Sequence, residues 1–234
     1  MTRYPTRPGV PSENGWPMVD RSGVTVFTIP GVPAAKAVPL RTGDVATILI
    51  AFIQAYNAHV EPVRSQVWGY SSDNDVADSN HMSGTGIDIN APWYNWGGYT
   101  MSPELVGRIN RVLASFDGVV EHGRKWSRPD EMHYQIGVRP GDPRVAALAK
   151  RIRDGGMVTV PAPTPGLLQR GSTGDRVRAL QARLNRDYPR YSRLVVDGDF
   201  GPATEAVVRE FQARAGLSVD GIAGPDTLRR LGLS

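Results

Sequence analysis

The chain contains no cysteine. Disulfides are therefore excluded, and so is any zinc site built on thiolates, which leaves His, Asp and Glu to hold a transition metal. Histidine is itself scarce, with four in 234 residues, so each one is informative. No apolar run approaches the roughly 20 residues that span a bilayer. The start, Met1-Thr2-Arg3-Tyr4-Pro5, has no apolar stretch of the kind a secretory leader carries. These absences predict no stable membrane association and a protein made and kept in a cytoplasm until something releases it. Lysine is missing from the last third: from Gly166 onward there are eleven Arg and no Lys, against six Asp and two Glu. That tail holds most of the net charge of +4 and suits an anionic partner such as nucleic acid, a lipid surface or a wall polymer. Otherwise the composition, 40% hydrophobic and 21% charged, is that of a globular protein long enough for one or two domains.

Proline marks the division. Val158-Thr159-Val160-Pro161-Ala162-Pro163-Thr164-Pro165-Gly166 has Pro at alternate positions, a pattern that favours extended polyproline backbone and a semi-rigid spacer. It separates a front domain, 1–157, from a tail, 167–234, with 158–166 as the linker. The tail repeats itself: Val196-Asp197-Gly198-Asp199-Phe200-Gly201-Pro202-Ala203-Thr204 matches Val219-Asp220-Gly221-Ile222-Ala223-Gly224-Pro225-Asp226-Thr227 at one offset. In each copy Asp-Gly turns the chain and Gly-Pro opens a helix. Val207, Val208 and Phe211 share one helical face, as do Val177, Leu180 and Leu184 upstream. The tail is predicted to be a small all-α domain of three helices.

The front domain alternates helical and strand patterns. Helices are expected after Thr42-Gly43-Asp44, with Thr42 or Asp44 as cap and His59 at the far end favoured by the helix dipole. Others are expected after Ser102-Pro103-Glu104 and after Asp142-Pro143. Strands are expected over 24–29, 86–90, 119–121 and 132–138. This order predicts an α+β fold, a small antiparallel sheet with helices.

Chemistry concentrates in two stretches, Ser79-Asn80-His81-Met82-Ser83-Gly84-Thr85-Gly86-Ile87-Asp88 and Asp130-Glu131-Met132-His133. His81, Asp88 and His133 form a nitrogen, oxygen, nitrogen set of the kind that holds catalytic zinc with one position left for water. Strand alternation puts Asp88 opposite in face to Ile87 and Ile89, and sends His133 away from Met132, Tyr134 and Ile136. Gly84 and Gly86 allow the loop from His81 to fold back. The same alternation puts Glu131, rather than Asp130, on the face of His133. Asp73, Asp75 and Asp78 lack the Gly and closing Glu of a calcium loop and read as a solvated segment.

These two stretches resemble the M15 family of zinc peptidases, whose pattern is Ser-x-His-x-x-Gly-x-Ala-x-Asp followed later by an acidic residue, two positions and His. The resemblance implies zinc on His81, Asp88 and His133, and Asp130 as general base, with Glu131 the alternative from alternation. Gly86 stands where the family usually has Ala. Ser71 follows Gly69-Tyr70 where many members have an Arg for a substrate carboxylate, a role open to Arg124 or Arg128. Tyr70, Trp93 and His122 are the candidate substrate-binding residues, Trp93 as part of an aromatic loop with Tyr94, Trp96 and Tyr99. The tail resembles the peptidoglycan-binding domain type 1 family over nearly all of 166–234. Together the resemblances imply a monomeric, phage-lysin-like peptidase acting on bacterial peptidoglycan rather than nucleic acid, cutting a stem-peptide bond, most simply L-Ala-D-Glu, with a D-alanyl-D-alanine carboxypeptidase as alternative. A muramidase or amidase using Glu104, Glu121 or Asp130, and a wall-binding protein that merely holds zinc, are the competing readings.

Overall fold

A computed structural model describes residues 3–156, 158–160 and 167–233. Most of the proline-rich segment, 161–166, together with Met157, lies outside the described residues. The fold is mixed α+β. Its strands are β1 (Tyr4–Pro5), β2 (Val24–Phe27), β3 (Val38–Arg41), β4 (Asp73–Asn74), β5 (Gly86–Asp88), β6 (Val120–His122) and β7 (His133–Ile136). Its helices are α1 (Asp44–His59), α2 (Pro103–Ala114), α3 (Pro143–Arg153), α4 (Asp175–Asp187), α5 (Pro202–Ala215) and α6 (Pro225–Leu231). The chain divides into two compact units, 1–101 with 112–160, and 102–111 with 161–234. This division differs from the sequence boundary in assigning 102–111 to the second unit.

In the first unit three small antiparallel sheets form, β1 with β4, β2 with β3, and the three-stranded β5-β7-β6. The last carries both Asp88 and His133. β7 runs between its neighbours and pairs Asp88 with His133 and Ile87 with Tyr134 on one side, and His122 with Tyr134 on the other. Behind it, Ile48, Phe52 and Tyr56 on α1 are fully buried together with Tyr134 and Ile136. Phe52 and Tyr134 lie 5.0 Å apart between ring centroids, and Tyr56 meets Tyr134 edge-on at 5.6 Å. Aromatic pairs of this geometry add to simple burial, so α1 presses on the central strand and fixes its level.

Local signals explain most helix starts. Ser102 Oγ accepts the Leu105 amide at 3.3 Å and Asp142 accepts the Arg144 amide at 2.9 Å, both in the capping manner. The start of α1 departs from expectation: Gly43 occupies the cap position and neither Thr42 nor Asp44 makes a capping bond. Asp44 instead begins the helix, where its charge suits the positive end, and pairs with Arg153 at 2.6 Å. The β3 strand, which the sequence pattern hides, exists because β2 supplies its partner; Val38 and Leu40 are buried on one face.

In the second unit, Val177, Leu180 and Leu184 on α4, Val208 and Phe211 on α5, and Leu228 and Leu231 on α6 close one hydrophobic core. The internal repeat has a structural counterpart. Gln181 on α4 is buried; its amide NH2 donates to Asp197, to the Asp199 carbonyl and to Thr204, while its Oε1 accepts the Gly198 amide at 2.9 Å. Gln212 on α5 does the same to the second copy, donating to Asp220, the Ile222 carbonyl and Thr227 and accepting the Gly221 amide at 2.9 Å. Each Asp-Gly turn is thus pinned by one buried glutamine from the preceding helix. Gln212→Ala strands several buried partners and is expected to lower stability of this unit by roughly 2–3 kcal/mol. Hydrogen exchange checks it: the Gly221 amide should lose protection while the Gly198 amide keeps its own, with the reverse for Gln181→Ala.

Candidate metal centre

The site is assembled from one strand pair and one loop. Because β5 and β7 place Asp88 directly across from His133, the carboxylate Oδ1 lies 2.9 Å from His133 Nδ1. His81 reaches the same oxygen from the loop before β5, its Nε2 3.2 Å away. Gly84 makes that loop possible: its φ is +69°, and an added Cβ would come within 2.8 Å of the Arg41 backbone nitrogen. The three ligand atoms all lie within 4.8 Å of one another, and all three residues are buried.

Hydrogen bonds behind the site orient the rings. His81 Nδ1 lies 2.7 Å from the Gly69 carbonyl oxygen. A carbonyl accepts only, so Nδ1 carries a proton, and Nε2 is the nitrogen left to face Asp88, donating to it while the ring is charged and free for a metal once that proton leaves. Burial opposes charging of His81, but Asp88 outweighs it and holds the ring up at about 8. For Asp88, burial pushes its carboxyl upward, yet the two imidazoles keep it below the usual carboxylate range. Two imidazoles and a carboxylate converging in a buried spot fit a dication well. They supply borderline nitrogen donors and one anion, and the three ligand atoms sit close enough to share an ion. The group is therefore one that could bind a metal ion.

The two adjacent carboxylates differ sharply in surroundings. Asp130 lines the cleft beside the ligand set, and its Oδ1 is buried with no hydrogen-bond partner among the described residues. Burial, then the neighbouring Asp88, raises its pKa. Glu131 is fully buried and fully engaged: it accepts from the Thr100 amide and hydroxyl, from the Met101 amide at 2.8 Å, and from Arg124. β7 begins only at His133, so strand alternation does not reach back to 130 and 131. That resolves the competition between the two carboxylates as far as placement goes: Asp130 faces the cleft and Glu131 does not.

The cleft has a volume of about 1030 Å³. Besides the ligands and Asp130, its walls include Trp68, Tyr70, Trp96, Trp126 and Arg128. Tyr70 is thus at the cleft, as the sequence suggested. Trp93 and His122 are not among the lining residues. Trp93 is exposed and carries the Arg64 guanidinium over its ring at 4.5 Å. His122 points inward from β6, stacks on Tyr134 at 4.6 Å, and its Nε2 lies 2.8 Å from the Glu131 carbonyl. Burial drives its pKa down to about 4, so it is a neutral core histidine. In the aromatic loop it is Trp96 that meets the cleft, with the Arg128 guanidinium 3.6 Å over its ring. Arg124, by contrast, is spent on Glu131 and on the face of Tyr99. Asp73 lines the cleft too but is paired with Arg3 at 2.5 Å.

Sequence reasoning missed Trp68 and Trp126 as wall residues, since nothing in their neighbours distinguishes a cleft tryptophan from a surface one. It also missed Gln135, which does not line the cleft but whose Oε1 lies 3.0 Å from His133 Nε2; its period-two spacing from His133 was the readable signal.

Residues 173–231 match the family described as "Putative peptidoglycan binding domain", and this domain is present in the chain. Among curated proteins, the zinc D-Ala-D-Ala carboxypeptidase of Streptomyces albus G is 49% identical over 67 residues, 28% of this chain and 26% of the relative. The N-acetylmuramoyl-L-alanine amidase CwlM of Mycobacterium tuberculosis is 50% identical over 58 residues, 25% of this chain and 14% of the relative. The crystal structure of the SleB N-terminal domain shares 39% identity over 30% of this chain and 94% of its own, with a TM-score of 0.28. The chain spans only about a quarter of the carboxypeptidase and less of the amidase.

Two measurements probe the centre directly. In metal-free protein, His81 should titrate near 8 by NMR rather than at the usual 6.5. A raised imidazole pKa stabilises the fold fully below about 6.5 and loses that contribution as pH rises through about 8. A metal must displace the same proton, so zinc affinity should climb about tenfold per pH unit up to pH 8 and flatten above it. Gly86→Ala tests the packing: the new Cβ would sit 2.8 Å from His133 Cε1. The ring must shift, and metal affinity measured by chelator competition should fall about tenfold or more.

Proposed function

We propose that this chain is a zinc-dependent peptidase of bacterial peptidoglycan, holding its metal through His81, Asp88 and His133. The observation that carries this reading is the buried His-Asp-His group beside a partnerless carboxylate oxygen on Asp130, in a chain that also bears a wall-binding domain. Held by that group, zinc supplies Lewis acidity toward a scissile carbonyl and brings the pKa of a water near 7. Asp130 then takes the proton of the attacking water at Oδ1 and delivers it to the nitrogen of the leaving amine as the carbon–nitrogen bond breaks. Its raised pKa suits both halves of that transfer. The exposed Trp68 and Trp96 offer flat apolar surface at the cleft, and Arg128 offers a cation for a substrate carboxylate. No covalent enzyme intermediate is required.

The resemblance to M15 peptidases supports L-Ala-D-Glu of the stem peptide as the bond cut, and the wall-binding tail supports an enzyme kept on its polymeric substrate. A second reading, a D-alanyl-D-alanine carboxypeptidase, is supported by the name of the Streptomyces relative. The glycosidase reading is weaker, because Glu121 is absent from the cleft walls and its Oε1 is occupied by Gln135 at 2.6 Å. The Glu104 side chain lies outside the described residues.

Digestion of purified peptidoglycan, with products read by mass spectrometry, tests the proposal. New α-amino groups should appear, vanish with chelator and return with zinc, and their masses should name the bond. Reducing sugars, or activity indifferent to chelator, would overturn it. Asp130→Asn should lower kcat by about 10²- to 10⁴-fold with zinc affinity retained. Glu131→Gln should instead lower thermal stability and loosen the 96–101 loop.

A further inference from the structure

A chain of buried amides runs from the protein backbone to His133. The Asn14 backbone N–H donates to Asn80 Oδ1 at 3.1 Å. A backbone amide can only donate, so the other end of the Asn80 side chain is its NH2. That NH2 donates to Glu13 at 2.9 Å and to Gln135 Oε1. The far end of Gln135, its own NH2, donates to Glu13 at 3.1 Å and to Glu121 at 2.6 Å. Reversing Gln135 would set two donors against each other at Asn80 and an oxygen against two carboxylates. Its orientation is thus fixed from both sides, and the side chain is fully buried. The second lone pair of Gln135 Oε1 meets His133 Nε2 at 3.0 Å.

We infer that Gln135 is a positioning residue that commits His133 to carrying its proton on Nε2, and so to presenting Nδ1 to the metal. The inference rests on the zinc reading above and deepens it. The alternative tautomer would place its proton between Nδ1 and Asp88 Oδ1, 2.9 Å away, where the metal would sit, and would oppose the Nε2 lone pair to the Gln135 oxygen in a fully buried place, where an unpaired acceptor is costly. Gly86 keeps the ring in register with the amide, because any Cβ there would press within 3.1 Å of His133 Nε2. The two ligating histidines are therefore oriented oppositely: His81 is held through Nδ1 by the Gly69 carbonyl, and His133 through Nε2 by Gln135. Asn80, adjacent to the first ligand in sequence, acts on the second.

The test uses the full chain loaded with ¹¹³Cd as the probe ion, together with zinc titration against a chromophoric chelator. In the wild type, the His133 coupling to ¹¹³Cd should run through Nδ1, with a slowly exchanging proton on Nε2. Gln135→Met should lose that protected proton and bind zinc about 10- to 100-fold more weakly. Asn80→Asp, which replaces the donor facing Gln135 by an acceptor without touching His133, should weaken zinc in the same direction. The double variant should be no weaker than Gln135→Met alone, because both act through one proton. Coordination through Nε2, or zinc affinity of Gln135→Met within twofold of wild type, would overturn the inference while leaving the zinc reading in place. Failure of the wild type to bind either ion would overturn both. The wild-type coupling measurement decides the matter even where a variant fails to fold.

Discussion

Register between β5 and β7 sets the geometry of everything at the site. Asp88 faces His133 because Ile87 faces Tyr134, and Tyr134 is held by Phe52 and Tyr56 on α1. A slip of one residue would send the Asp88 and His133 side chains to the opposite face. It would also bring an ionisable pair into the aromatic layer, where unpaired charge is expensive. The hydrophobic core thereby enforces the polar arrangement: the side chains that cannot leave the core dictate where those that must leave it come to rest.

The neighbouring residues Asp130 and Glu131 show how one local environment can separate two like groups. Glu131 satisfies its oxygens with two backbone amides, a hydroxyl and Arg124, and in doing so ties the 96–101 loop to the start of β7. That loop carries Trp96, whose backbone bridges Asp130. Glu131 is satisfied on both oxygens, whereas Asp130, which receives the Met132 amide, keeps its Oδ1 without a partner among the described residues. A carboxylate oxygen buried without a partner bears a desolvation cost that its hydrogen-bonded neighbour does not.

Much of this was legible in the sequence, and the failures have physical causes. The pairing of His81, Asp88 and His133 followed from alternation and from glycines in the connecting loop. The helix starts at Ser102 and Asp142 followed from capping chemistry, since a cap is a local device readable from a few residues. His122 was misplaced because β6 is only three residues long, too short for alternation to say which face is the core. Trp93 was misplaced because a loop has no period at all; its neighbour Trp96 reaches the cleft through a backbone bridge that no local rule predicts. β3 was overlooked because its residues, Val38-Pro39-Leu40-Arg41, include a proline that argues against a strand, and only pairing with β2 at a sheet edge makes it one.

Buried glutamine recurs in this chain for a common reason. Gln181 and Gln212 pin turns, and Gln135 meets a histidine, yet each presents donor and acceptor ends that cannot be exchanged once their surroundings are fixed. A hydroxyl rotates and a carboxylate only accepts, whereas an amide transmits polarity from one end to the other. In the tail that polarity matches a carbonyl, a hydroxyl and a carboxylate on one side and an amide proton on the other. In the first unit it starts at a backbone N–H and ends at an imidazole. Both uses depend on burial, because water at either end would supply whichever partner was missing and erase the preference. Full burial of Gln135 and near-full burial of Gln181 and Gln212 is the condition under which an amide can specify, rather than merely accommodate, its neighbours.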